Sequence, residues 1–289
     1  MSSSVIVLPP SPSLAQDVMG YVVRRRSMHM PRDVAAFRTH FPANLYAALT
    51  IVHEGTLVDP DGGLRTPPVS FSGAMTQGVS REYIDAPETT VVLFKPGRLT
   101  DVLRLPAGEF TDRWHDGDAL LNAQERSEIA DRMASQRTVA RQLHVLEGVL
   151  ERRLRRKSPS RASVLARFVQ QLVWRLPHMT VRELAEHTQM HERRLHRHFI
   201  DTFGVPPKVV IRLARLQLSL LHVQAAARQA TASMASVAQA SGFADASHMA
   251  RDFRSLIGQT PAALRDLMAR SAPSQWAFDL PQDLLHPVG

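Results

Sequence analysis

The chain of 289 residues and 32.2 kDa is 44% apolar, long enough to bury one large core or two ordinary ones. It holds no cysteine, which excludes disulfides, thiolate metal sites, thiol redox sensing and cysteine nucleophiles together. The net charge of +8 is unevenly spread: residues 1–140 carry about −2 and residues 141–289 about +10, so the second half attracts polyanions and the first suits another task.

The N-terminus, "MSSSVIVLPPSPSLAQ", has no basic stretch ahead of its short apolar run, and no segment approaches the ~18 apolar residues of a membrane span. The expectation is a cytoplasmic protein with no membrane partner. From Val18 to about Leu121, short apolar runs are broken by turn residues: "YVVRRRS", "LYAALTIVHEG", "VSFSGAM" and "TTVVLFKPG". Alternation in "YVV" and "TVVLF", with Pro and Gly at the joints, predicts strands and a β-rich domain over 1–121. Tyr46, His53, Phe71 and Phe94 could enclose a ligand there, although aromatics at strand positions serve more often as core. No phosphate loop, serine elbow or triad spacing is present, so nothing here reads as an enzyme.

After "LPAGEFTDRWHDGDALL" the pattern turns helical. Ile129, Met133, Val139, Leu143, Leu146, Leu150 and Leu154 recur at threes and fours, predicting a helical connector over 122–162. "ERRLRRK" is the solvated face of a helix or a phosphate contact, and "RRKSPSRAS", Arg155 to Ser163, reads as a linker. "VLARFVQQLVWRL" opens a second helical series that fills 163–270, followed by a tail over 271–289. Within it Thr180, Ser233 and Asp245 are candidate N-caps, while Pro206 and Pro261 suit first helical turns.

The second series repeats itself. "LAEHTQMHERRLHRHFIDTFGVPP" and "VAQASGFADASHMARDFRSLIGQTP" align so that Arg197, Phe199, Gly204 and Pro207 match Arg251, Phe253, Gly258 and Pro261 at an offset of about 54 residues, the mark of an internal duplication. Each copy reads as helix, turn, helix, with Gly242 supplying the left-handed turn of the second. At about 100° per residue, Leu195 and Phe199 point one way and Arg193 and Arg197 nearly the opposite way. Met249 with Phe253, against Ser247 with Arg251, repeats that division. A basic outward face on such a helix suits the major groove, where arginine bonds guanine through two hydrogen bonds. A helix from about Pro206 to Val223, near 27 Å long, would join the copies, which could then meet successive grooves roughly 34 Å apart.

At these residues the sequence resembles the AraC/XylS family of bacterial transcription regulators. The second copy matches the family signature in "VAQASGFADASHMARDFRSLIGQTPAALR", with Met249 where an aromatic is usual. The first matches in "VRELAEHTQMHERRLHRHFIDTFGVPPKVVIRLARLQLSLL" and departs at its turn, with Gln189 in place of glycine and His191 in place of serine. "VVLFKPGRLTDVLRLPAGEFTDRW" is similar to a domain found ahead of such modules.

The resemblance implies an α+β chain: a cupin-like barrel, a connector, and an all-α domain with two helix-turn-helix units on a long shared helix. It implies a sequence-specific regulator of double-stranded DNA. Base edges would be read by Arg193, His196, Arg197, Ser247, His248 and Arg251, and Lys208, Arg212, Arg215 and Arg254 would meet phosphates. RNA polymerase is a further implied partner, and the first domain would bind a small-molecule effector or mediate oligomerisation. Rival readings make that domain a ligand-free protein-interaction module or a cupin-like enzyme. No cofactor is expected. His187, His191, His196 and His198 crowd one segment, but His187 and His191 straddle the turn and no "HExxH" occurs, so no metal site is assigned.

Overall fold

The computed structural model describes residues 4–25, 37–60, 63–133, 135–155, 166, 178–229 and 233–270. The expected linker after Arg155, nearly all of "VLARFVQQLVWRL" and the 271–289 tail lie outside the described residues.

Strands β1 (Ser4–Leu8), β2 (Val18–Arg25), β3 (Phe37–Phe41), β4 (Ala47–Val58), β5 (Val69–Ser72), β6 (Val79–Phe94) and β7 (Trp114–Asp116) form one antiparallel sheet. Its order is β1-β2-β6-β4-β5-β7, with β3 also on β6. The first half of β6 pairs with β3 and the second half with β2. The β4–β6 register shifts between Val52 and Glu54 and again between Glu54 and Thr56, irregularities at which paired strands bend.

One face of the sheet is apolar. Tyr21, Val23, Leu49, Ile51, Phe71, Val92 and Phe94 are buried in a cluster with Leu99 and Val102 of α1 (Leu99–Leu103) and Leu143, Leu146, Val149 and Leu150 of α3 (Val139–Arg155). Each such side chain contributes roughly 1.5–3 kcal/mol by leaving water. The Tyr21 hydroxyl donates to Glu147 Oε1 at 2.9 Å, tying α3 to β2. The connector is thus packed on the sheet, and it is not one continuous helix. Asn122 and Glu125 form a capping box that starts α2 (Ala123–Ser127), a π-helical turn follows over Glu128–Met133, and Thr138 precedes α3. Ile129 and Met133, picked out by spacing, are buried beneath it.

The C-terminal helices are α4 (Val181–Thr188), α5 (Glu192–Phe203), α6 (Pro207–Gln229), α7 (Met234–Ala240), α8 (Ala246–Ile257) and α9 (Pro261–Arg270). With 23 residues, α6 is longer than expected and spans about 35 Å. Val210, Leu213, Leu216, Leu220 and Val223 on this helix share one core with Leu195, Phe199, Met249 and Phe253, so both helix pairs are braced on it. Ala43, Leu45 and Ala74 of the sheet domain enter that same core.

Candidate nucleic-acid interface

In the first unit the Thr180 hydroxyl accepts from the Glu183 amide while the Glu183 carboxylate accepts from the Thr180 amide, a capping box that starts α4. The helix ends at Gln189, which adopts φ 53°, and the Met190 amide returns to the Ala185 carbonyl at 3.0 Å. The turn therefore keeps the left-handed geometry of a glycine without having one. His191 takes the N-cap position of α5 and makes no side-chain cap bond there.

In the second unit Ser233 accepts from the Ser236 amide and Asp245 from the His248 amide, so all three expected caps are present. Gly242 has φ 80° between α7 and α8, and Phe243 is buried beside it. Gly204 and Gly258 close α5 and α8 with φ of 80° and 83°. The duplicated glycines thus do one job in both copies: a left-handed residue frees the chain from the helix.

Leu195, Phe199 and Phe203 of α5 are buried, as are Met249, Phe253 and Leu256 of α8. On the opposite sides Arg193, His196, Arg197, Ser247 and Arg251 are exposed. Arg197 and Arg251 occupy the same place, facing away from Phe199 and Phe253. His248 is half-buried because its ring meets Phe243 edge-on at 5.4 Å. Exposed Arg194 joins the outward face of α5; the 100° arithmetic places it beside Arg193 and Arg197, and it was open to detection from spacing alone.

The four basic residues assigned to phosphates divide into two pairs. Lys208 and Arg254 are exposed. Arg212 is instead turned toward α8, its Nε 3.0 Å from Asp252 Oδ1, and Arg215 lies over the Phe243 ring at 5.4 Å. Burial pushes the Arg215 pKa down, against the nearby Asp252 carboxylate, which raises it. Both guanidiniums thus meet the second unit from α6, and Arg212 keeps 38% of its side chain exposed. Among the histidines, His187 Nδ1 lies 2.8 Å from the Glu183 carbonyl. Among the described residues no three metal-ligating side chains gather at one point.

In the sheet domain Phe71 and Phe94 are 1% and 0% exposed within the apolar face, so they are core. His53 Nε2 is 2.9 Å from the Thr90 hydroxyl, and burial lowers the His53 pKa, with Arg25 adding to that and Glu88 opposing it. Burial raises the Tyr46 pKa. Among the described residues no helix is long and apolar enough to cross a membrane.

Residues 184–266 match a family model described as a helix-turn-helix domain. No curated protein sequence matches the chain. Among solved structures, the chain is similar to an apo single-lysine variant of ToxT from Vibrio cholerae strain SCE256, with 12% identity over 86% of this chain and 97% of that one, at a TM-score of 0.46. ToxT from Vibrio cholerae O395 bound to (E)-4-(8-methylnaphthalen-1-yl)but-3-enoic acid shows 11% identity over 81% and 97%, at 0.44. Wild-type ToxT from strain SCE256 with an unsaturated fatty acid shows 12% over 85% and 100%, at 0.43. Both outward-facing helices, α5 and α8, lie inside the segment matched by the family model, so residues 184–266 of the chain form a helix-turn-helix domain.

Proposed function

We propose that the protein binds a specific duplex sequence with both recognition helices of one chain and adjusts that binding to a small molecule held by the sheet domain. The observation that carries the first part is the equivalence of Arg197 and Arg251, each exposed and directed away from a buried phenylalanine on helices that share the α6 brace. Arginine in a major groove bonds guanine O6 and N7 together, and two such readers on one scaffold specify two half-sites. Arg193, His196, Ser247 and His248 flank these arginines and supply the remaining base contacts, while Lys208 and Arg254 meet phosphates. Arg212 and Arg215 act indirectly, by holding α8 in place. The domain division at 121, 162 and 270 belongs to this reading, as do action in the cytoplasm and RNA polymerase as the partner at a promoter.

Selecting bound fragments from a random duplex pool, then repeating the selection with Arg197→Ala and Arg251→Ala, tests it. Each variant should relax one position in a different half-site. Loss of affinity for all fragments alike would show that neither arginine reads bases.

A second reading of the sheet domain has its own observation. Strand β1 lies at the end of the sheet's hydrogen-bonded path, with Val5 and Ile6 exposed, so it presents an apolar strand edge to which another chain could pair. Sedimentation of the protein across a concentration series separates this from effector binding alone.

A further inference from the structure

Three short segments of the sheet domain lie side by side and reach both reader helices. Asn44 and Met75 exchange two backbone hydrogen bonds, at 2.8 and 2.9 Å, and the Asp112 amide donates to the Ala74 carbonyl at 2.9 Å. The Gly73 amide donates to the Phe110 carbonyl, an approach so close that a Cβ on Gly73 would lie 2.8 Å from the Phe110 backbone. Each outer segment ends on a helix. On one side the Ala43 amide reaches the Leu256 carbonyl in the last turn of α8. On the other the Thr111 hydroxyl reaches the Gly204 carbonyl at the end of α5. Carbonyls at these places lack a donor within their own helix, so the sheet domain uses acceptors that the readers leave free.

Asp112 closes the segments into one strap. Its two carboxylate oxygens accept from the Thr76 amide and the Thr76 hydroxyl, each at 2.6 Å. Bonds to an ionised acceptor are roughly twice as strong as neutral ones. Asp112 makes them with φ 55°, in the left-handed region. That conformation costs a residue with a β-carbon roughly 1–2 kcal/mol, and it persists where the surroundings hold it and a function constrains it. Here the constraint is geometric. A continuous run of hydrogen bonds passes from Gly204 through Thr111, Asp112, Thr76 and Asn44 to Leu256. Packing on α6 acts differently: apolar burial is non-directional and tolerates small slides and turns, whereas hydrogen bonds with defined lengths and angles fix where α5 and α8 end.

We propose that Asp112 and Thr76 are positioning residues for DNA recognition. They close the strap that fixes the separation and relative rotation of α5 and α8, and thereby the spacing between half-sites that one chain accepts. The proposal rests on the two-reader reading above and adds what determines its spacing. Both residues act from the sheet domain, through the ends of the readers.

The full chain, titrated by fluorescence anisotropy, tests this with duplexes that carry both selected half-sites at the selected spacing, or with one or two base pairs added or removed. Each added pair moves a half-site by about 3.4 Å and turns it by about 35°. The parent should prefer the selected spacing by about tenfold or more. Asp112→Gly keeps the left-handed backbone without its cost and deletes both acceptors. It should therefore melt near the parent, keep its affinity for a single half-site, and prefer the selected spacing by only about threefold or less. Asp112→Asn retains an acceptor for the Thr76 amide and should recover most of the preference. Thr76→Val loses only the hydroxyl bond and should fall between. A parent indifferent to spacing refutes the two-reader reading itself. A parent preference that Asp112→Gly keeps, or a loss in that variant spread evenly over every spacing and the single half-site, overturns the strap and leaves two readers in place. If Asp112→Gly folds poorly, Thr76→Val decides: an undiminished preference there overturns the strap as well.

Discussion

The Thr111 hydroxyl of the sheet domain donates to the Gly204 carbonyl at 2.9 Å, at the residue where the first recognition helix ends. A parallel bond runs from the Ala43 amide to the Leu256 carbonyl at 3.1 Å, near the end of the second. The sheet domain thus touches the C-terminal ends of both readers, and their outward arginines lie on helices anchored at those ends. Thr111→Val should lower stability by about 0.5–1.5 kcal/mol in urea, the ordinary net contribution of one hydrogen bond. Gly204→Ala should cost more. The residue sits at φ 80°, and an added Cβ would come within 2.9 Å of the Ala107 carbonyl oxygen.

Arg251→Ala and Phe253→Ala should separate reading from folding although the residues are two apart. The first leaves the core intact and should cost roughly 1–3 kcal/mol on a cognate duplex with little change in melting temperature. The second empties a fully buried site and should destabilise the fold by about 3–5 kcal/mol. Paired melting and fluorescence-anisotropy titrations give both quantities.

Asp252→Asn should release Arg212. The pair is partly exposed, 38% and 15% at the two side chains, so the stability loss should stay near 0.2–1 kcal/mol. A freed guanidinium on α6 would be available to phosphate, and the slope of log affinity for random DNA against log salt should steepen by about 1. An unchanged slope would mean that Arg212 does not reach the duplex even when unpaired.

Gln189→Gly should stabilise the first unit by about 0.5–1 kcal/mol. Gln189 holds φ 53°, a conformation that a β-carbon penalises and glycine does not. Thermal melting of the full chain reads the difference.

Acid should loosen the same unit. The Thr180 amide, then the Thr180 hydroxyl, hold the Glu183 carboxyl below its ordinary pKa. A carboxyl lowered by folding stabilises the native state above its unfolded pKa, near 4.5, and the contribution is lost as pH falls through the lowered folded value. Glu183→Gln should therefore melt with a weaker dependence on pH below about 4.5 than the parent. Identical pH profiles would remove this capping box from the acid response.

The caps at Thr180, Ser233 and Asp245, the turn at Gly242 and the division of α5 into Leu195 and Phe199 against Arg193 and Arg197 were all legible in the sequence. Each depends on residues within a turn or two of one another, where 3.6 residues per turn and the cost of a left-handed backbone leave few alternatives. The strands were legible as alternation, and the basic half as charge.

Contacts across long separations were not. Nothing in the sequence around Arg212 shows that α8 brings Asp252 beside it from 40 residues away. Phe71 and Phe94 read as ligand-enclosing candidates until register puts them on the face that α3 covers. The helix after Asn122 reads as a connector between domains until Leu143, Leu146 and Leu150 bury themselves against β2 and β6. Arg81 and Trp114 carry no sign in the sequence that one stacks on the other.

By itself the sequence determined what each short segment becomes and which side chains a recognition helix turns outward, because covalent geometry and local sterics set both. Tertiary structure alone decided which cations pair with distant carboxylates, which aromatics are core, and that Arg81 stacks on Trp114. Those outcomes depend on which surfaces bury each other, and apolar burial is non-directional, so a pattern along the chain names a buried face without naming its partner.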